Sequence, residues 1–314
     1  MARAVTPTAI ADTVLRLAVL LQAGVSPARA WQHLADAGDG EAARVHDGVD
    51  RGMPLPDAIA HAAPPPPQQR RGRPRSFARR RDEAEREAGW RDVSAAWEVA
   101  TAVGAPLAES LRALAAALRD AQEAADDVRV ALAEPAATAR LMGWLPLVAI
   151  VLGMALGFDT LRTLIGSPIG VVCLLLGAAL IFAGQRWNAE LVKRARAEGG
   201  IPGLEAELLA IALSSGVSID RARRLVRDAT GSSPAVETDS VLDLSRGAGV
   251  PAVELLRASS ALARHRARVE GRLRAARLST RLLLPLGVCT LPAFLLLGVA
   301  PMLLSVMTSV PLPL

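Results

Sequence analysis

The chain has 314 residues, 51% of them apolar, and a formal net charge of +5. Its mean hydropathy of +0.29 is too high for an ordinary soluble domain with this many charged residues, so the apolar residues must be concentrated in a few stretches. Aromatic residues are scarce and Tyr is absent, whereas Ala and Leu, which favour helices over strands, are abundant. We therefore predict an all-α fold.

The first predicted element is a helix–corner–helix unit near the N-terminus. Asp12 and Arg16 lie in its first helix, which excludes a secretory signal, because the central region of such a signal is uncharged. Gly24 can adopt the left-handed conformation that closes a helix, and Ser26 can cap the helix that follows. Both arms continue as Ala and Leu faces, so the corner is interpreted as a packing element rather than a DNA reader.

Between residues 62 and 89 the composition changes to Pro and Arg, which is typical of a disordered linker leading into a charged helix. A second corner follows. Gly104 can end one helix, Pro106 can occupy an early position of the next, and Glu109 can complement its dipole. We assign residues 1–140 to a cytoplasmic helical bundle with a Pro/Arg-rich insertion near 62–89.

Two uncharged stretches, 141–158 and 163–185, are each long enough to cross about 30 Å of hydrocarbon as a helix. Because only residues 159–162 join them, we predict a transmembrane hairpin over 141–185. Glycines spaced four or seven residues apart can let a neighbouring helix approach closely in lipid. The candidate packing residues are Gly153 and Gly157 in the first span and Gly166, Gly170, Gly177 and Gly184 in the second.

Residues 186–281 repeat the two corners in the same order. The pattern L-x-x-G-V-S-x-x-x-A occurs at 21–30 and 213–222, and G-x-P-x-x-E-x-L-R-A occurs at 104–113 and 249–258. Two motifs repeated in order predict an internal repeat, with a second, shorter cytoplasmic bundle over 186–281. The equivalent corner residues are Gly216 and Ser218. Pro106, Glu109, Pro251 and Glu254 are candidate partner-interface residues, although both glutamates can also serve simply as dipole complements.

A third uncharged stretch over 282–314 contains Pro285, Pro292 and Pro301. Prolines bend a membrane helix without reversing it, which favours one kinked span with a short external tail over two spans. Basic residues flank the three stretches on the side of the bundles, and positive flanks face the cytoplasm. We expect both bundles in the cytoplasm and contact of the arginines with anionic lipid.

This arrangement resembles the type II secretion F family, the inner-membrane platform proteins of type II secretion, type IV pili and Tad/Flp pili. The resemblance rests on the duplicated corner motifs and their placement before the spans. It implies an oligomeric platform, or one paired with a second platform protein, that links a secretion ATPase to pilin subunits. The shortened second bundle suggests the Tad/Flp branch. The Pro/Arg-rich insertion departs from the usual family pattern.

Other classes of protein fit the sequence less well. The single lysine, Lys193, precedes Arg194, which excludes a phosphate-binding loop of the G-x-x-x-x-G-K-[ST] type. Cys173 and Cys289 lie in apolar runs, the histidines show no metal-binding spacing, and we expect no catalytic residue, metal or cofactor. Nucleic-acid binding is disfavoured because no aromatic residues interleave with the arginines. A small membrane transporter or another non-enzymatic scaffold is the remaining alternative, although no span contains an obvious ionisable ligand.

Overall fold

The structure is a computed structural model that describes residues 8–64, 77–155, 165–195, 200–231, 235–301 and 303. Every regular element in these ranges is a helix, so the all-α prediction is confirmed there. The helices are α1 (Thr8–Gln22), α2 (Pro27–Asp36), α3 (Gly40–Asp50), α4 (Leu55–Ala60), α5 (Phe77–Val103), α6 (Leu107–Ala155), α7 (Pro168–Ala195), α8 (Leu204–Ser214), α9 (Ile219–Thr230), α10 (Val236–Ala248), α11 (Ala252–Pro285) and α12 (Leu291–Phe294). Two π-helical segments, π1 (Leu286–Thr290) and π2 (Leu295–Val299), flank α12.

The chain divides into two compact units. Unit 1 contains Met1–Ala124 and Glu198–Arg268, and unit 2 contains Ala125–Ala197 and Val269–Leu314. The first part of α6 and the first part of α11 belong to unit 1, and the remainder of each helix belongs to unit 2. The predicted division at residues 140, 185 and 281 stays a prediction.

Unit 1 is built on one hydrophobic core that contains residues of both predicted cytoplasmic regions. Helix α5 contacts α1 and α4 as well as α8 and α9. Trp31 of α2 packs against Trp90 and Trp97 of α5, with ring centroids 6.2 Å and 6.5 Å apart. Gly89 lets α1 approach α5, because a Cβ there would lie 3.0 Å from Cδ1 of Ile10. The long α5 thus joins the two regions into one packed body.

In unit 2, α7 packs against π1, α12 and π2. The buried residues of the C-terminal segment recur every four positions, at Cys289, Ala293, Leu297 and Pro301. In a regular α-helix with about 100° per residue, positions four apart drift around the axis by roughly 40° per step. The wider turns of the two π segments reduce this drift. Two of these residues, Cys289 and Leu297, lie against Gly184 and Gly177 of α7.

Among the described residues, one helix is long and apolar enough to cross a membrane, over Pro168–Leu191, and Gly287–Val299 is apolar but shorter. The first of these overlaps the second predicted span, residues 163–185. The end of the first predicted span, the hairpin loop and the predicted external tail lie outside the described residues. The three-span topology therefore stays a prediction.

Candidate functional site

The first corner of each region has the same backbone geometry. Gly24 and Gly216 have φ values of 86° and 84°, the left-handed conformation that glycine adopts without strain. Their N–H groups donate to the carbonyls of Leu21 and Leu213 at 3.1 Å and 3.0 Å. No atom of the described residues lies within 4 Å of a Cβ added at either glycine. The left-handed conformation, rather than a lack of space, therefore favours glycine at these two positions.

Ser26 and Ser218 occupy the N-cap positions of α2 and α9 with nearly identical extended backbones. Their side chains differ. The Ser218 hydroxyl accepts a hydrogen bond from the backbone N–H of Arg221 at 3.4 Å, whereas the side chain of Ser26 makes no capping bond within the described residues. Pro27 follows Ser26 directly, and its fixed φ already favours the start of a helix there.

The second corner of each region stands immediately before a long helix. Gly104 and Gly249 are left-handed, with φ values of 70° and 66°. Pro106 and Pro251 stand directly before the first residues of α6 and α11. Glu109 therefore lies in the first turn of α6, in the position that Glu254 occupies in α11.

The structure brings the two candidate glutamates together on one arginine. Nη2 of Arg257 lies 3.1 Å from Oε1 of Glu109, and Nη1 lies 3.8 Å from Oε1 of Glu254. Both carboxylates are exposed. Arg257 belongs to the L-R-A end of the repeated motif and is not among the candidate residues that the sequence predicts. Its equivalent in the first region, Arg112, bonds instead to the Gln22 side chain.

Further ion pairs connect the same two helices within unit 1. Nε of Arg264 lies 3.1 Å from Oδ2 of Asp120. Nη2 of Arg268 lies 3.1 Å from Oε2 of Glu123 and 3.7 Å from Oδ1 of Asp120. We call this set, together with the Arg257–Glu109 pair, the charge ladder. In the ladder, α6 supplies carboxylates and α11 supplies arginines.

Unit 2 contains a pair of the same kind. Nη2 of Arg272 on α11 lies 2.8 Å from Oδ2 of Asp127 on α6. Close by, a Cβ added at Gly271 would lie 3.1 Å from Cγ2 of Val128. The missing side chain at Gly271 lets the two helices approach, and Ala275 and Leu278 extend the apolar contact with Val128.

Arg264 also connects the ladder to a buried acid. One of its guanidinium nitrogens lies 3.6 Å from Oε2 of Glu207, whose side chain is 6% exposed. The hydroxyl of Ser260 donates to the same carboxylate oxygen at 2.8 Å. Gly203, with φ of 75°, lets the start of α8 approach α11 here, because an added Cβ would lie 2.8 Å from both Cα and O of Ser260.

Two acids of unit 1 have raised pKa values. Burial raises the pKa of Glu41 on α3 above its usual value, against the opposing charges of Arg86 on α5 and Arg44. Burial likewise raises the pKa of Asp92 on α5 to about 6, against the opposing charge of Arg91. In both cases desolvation outweighs the attraction to a neighbouring guanidinium. Glu41 is buried in unit 1, whereas Asp92 is half-buried.

The glycine face of α7 lies against the C-terminal segment. Gly170, Gly177 and Gly184 are buried, whereas Gly166 is exposed. A Cβ added at Gly177 would lie 2.5 Å from Cγ of Leu297, and one at Gly184 would lie 3.1 Å from Cβ of Cys289. Within this chain, the neighbour of the glycine face is thus the C-terminal segment. Of the glycines in the first predicted span, Gly153 lies in α6, and Gly157 lies outside the described residues.

Comparison with protein families identifies the first part of the chain. The family described as type II secretion system (T2SS), protein F, matches residues 14–155. These residues form a type II secretion system F domain. The family predicted from the corner motifs is thereby confirmed for this part of the chain. No curated protein and no solved structure matches the chain significantly.

The F domain begins within α1 and ends at the last described residue of α6. It therefore contains Gly24, Ser26, Pro106 and Glu109, the acidic side of the charge ladder and the Pro/Arg-rich insertion. The corner at Gly216 and the arginines of α11 lie beyond it, so the internal repeat stays a prediction. In the ranges that the structure describes, no group of three or more His, Cys, Asp or Glu side chains could hold a metal ion.

Proposed function

We propose that this chain is an inner-membrane platform protein that links a cytoplasmic secretion ATPase to pilin subunits during pilus assembly or type II secretion. The observation that carries the proposal is the F-domain match over residues 14–155, since proteins of this family are membrane components of such machines. The all-helical fold and the apolar helix over Pro168–Leu191 support it. In this role the bundles lie in the cytoplasm, and a separate protein hydrolyses ATP.

The proposal is tested by deleting the gene and measuring surface pili and secreted protein. We expect both to be restored by the wild-type chain, and a solubilised, tagged chain to co-purify the secretion ATPase. A matched control uses the same chain with Gly24→Val, which should weaken the fold of the F domain and reduce complementation. If pili and secretion are normal in the deletion strain, while the purified chain alone moves a solute into liposomes, the transporter alternative replaces the platform role.

The proposed orientation is tested separately. Reporter fusions after Gly200 and near Gly89 should be active only as cytoplasmic reporters, and a fusion at the C-terminus only as an external one. A cytoplasmic C-terminus would show that the stretch over 282–314 crosses twice or not at all.

A further inference from the structure

The paired residues of the charge ladder are separated in sequence by nearly the same number of positions as the two copies of the second corner motif. Within unit 1, its hydrogen-bonded pairs join residues 144, 145 and 148 positions apart. The Arg272–Asp127 pair of unit 2 joins residues 145 positions apart. Glu109 and Glu254, the equivalent residues of the repeated motif, are separated by the same interval as Glu123 and Arg268. Because the contacts of unit 1 advance together in number, α6 and α11 run parallel there, with nearly equivalent positions facing each other.

At two of these facing positions the charges have opposite signs. Glu123 faces Arg268 in unit 1, and Asp127 faces Arg272 in unit 2. A second α6 in the place of α11 would bring Glu123 against another Glu123. A second α11 in the place of α6 would bring Arg268 against another Arg268. Like charges at such neighbouring positions repel, and charges beside a helix seam determine which helices pair.

The ion pairs of the ladder differ in how far solvent screens them, and those of Arg264 are screened least. The side chain of Arg264 is only 15% exposed, and it contacts both Asp120 and the buried Glu207. Loss of this arginine would leave Glu207 in the core without its guanidinium neighbour. The pairs at Arg268 and Arg272 are more exposed, so they add little stability individually. These pairs instead discriminate between partner helices, because pairing α6 with α6 or α11 with α11 replaces an attraction by a repulsion.

We propose that the charge ladder is a recognition surface that pairs the acidic face of α6 with the basic face of α11 of the same chain. The surface excludes pairing of two α6 helices or two α11 helices from neighbouring copies. The ligand of the acidic face is therefore a parallel helix with arginines spaced as Arg257, Arg264 and Arg268. In an assembly of several copies, the ladder keeps each chain paired internally and leaves other surfaces for contacts between copies.

The experiment uses the full chain in membranes, with Cys173 and Cys289 replaced by Ala and with Val128→Cys and Gly271→Cys added as a reporter pair. These positions are adjacent across the helix pair, so oxidation should form a disulfide within one chain, measured as linked peptides by mass spectrometry. Arg268→Glu with Arg272→Glu should reduce this disulfide several-fold, as should Glu123→Arg with Asp127→Arg. Combining all four substitutions should restore most of it. This rescue separates a role in recognition from a general loss of folding.

The matched control reverses two arginines of α11 whose bonds, among the described side chains, are to residues outside α6. Arg266 pairs with Glu237, and Nε of Arg274 donates to the carbonyl of Glu270, so Arg266→Glu with Arg274→Glu should leave the disulfide unchanged. Equal disulfide yields in this control and in either double variant, Arg268→Glu with Arg272→Glu or Glu123→Arg with Asp127→Arg, would overturn the proposal. It would also be overturned if the variant with all four substitutions formed no more disulfide than either double variant. A disulfide-linked dimer between one copy carrying only Val128→Cys and another carrying only Gly271→Cys would show pairing between chains and also overturn it.

Discussion

Replacement of Gly203 by Ala tests the close approach of the start of α8 to Ser260 of α11 in unit 1. The residue has φ of 75°, and a left-handed conformation costs an L-residue roughly 1–2 kcal/mol relative to glycine. Its added Cβ would also lie 2.8 Å from Cα and O of Ser260, and relief of such overlap in a packed region costs about 1–3 kcal/mol. We therefore expect Gly203→Ala to lower the free energy of unfolding by about 2–5 kcal/mol in total.

Gly216→Ala is the matched variant, because Gly216 is also left-handed but has open space around it. It should cost only the conformational part, about 1–2 kcal/mol. Gly247→Ala, at a helical glycine with open space, should not destabilise the protein, since alanine favours helix by about 1 kcal/mol.

The assay is thermal unfolding of the solubilised full chain, followed by tryptophan fluorescence. Trp144 and Trp187 are replaced by Phe in every variant, so that the signal comes from Trp31, Trp90 and Trp97 in the core of unit 1. For a unit of this size, 1 kcal/mol corresponds to about 2–4 °C in the midpoint. Equal shifts for Gly203→Ala and Gly216→Ala would refute the close approach of α8 to α11 at Ser260.

Three further outcomes are expected. Because the folded state binds the Asp92 proton more tightly than the unfolded state does, stability should fall as the pH rises from about 4 through the raised pKa of about 6, by up to about 3 kcal/mol. Asp92→Asn should remove this dependence in melts at pH 5 and 7.5, and identical curves for the two proteins would contradict it. Gly24→Val should lower the melting midpoint more than Gly24→Asn, because Asn tolerates left-handed φ better; equal midpoints would mean that the corner conformation is unimportant. With Cys173→Ala and Gly184→Cys, the new thiol should form a disulfide with Cys289, measured by the loss of maleimide labelling. Gly177→Leu should suppress this disulfide, whereas Gly166→Leu should not. Equal labelling of the two variants would show that α7 does not pack against Leu297.

The parts of the fold that depend on local chemistry could be predicted from the sequence. Abundant Ala and Leu determine the helical class, and a Gly-Val-Ser sequence is sufficient to place a corner, because the left-handed residue and the helix start lie within three positions. The F family followed from those same motifs. Each of these features requires information from only a few neighbouring residues.

The charge ladder and the role of Gly203 could not be derived in this way. Gly203 is constrained by Ser260, which is distant in sequence, and no local pattern distinguishes this glycine from one in an open loop. The ladder depends on the register between two helices that are separated by a predicted hairpin. A signal was present in the sequence, since Glu123 and Arg268, and likewise Asp127 and Arg272, are opposite charges 145 positions apart. That interval indicates a contact only between helices that run parallel, and the sequence does not determine their direction.

The π turns of the C-terminal segment also change the number of residues between its contacts with α7. Gly177 and Gly184 on α7 are seven residues apart, yet their neighbours, Leu297 and Cys289, are eight residues apart. Seven residues of a regular helix extend about 10.5 Å and eight extend about 12 Å, so the C-terminal segment holds an extra residue over the same distance. Loss of one residue between Cys289 and Leu297 could convert a π turn into an ordinary α turn while both contacts with α7 remain. A one-residue deletion at this point should therefore be tolerated, whereas in a regular helix it would displace one of the two contacts.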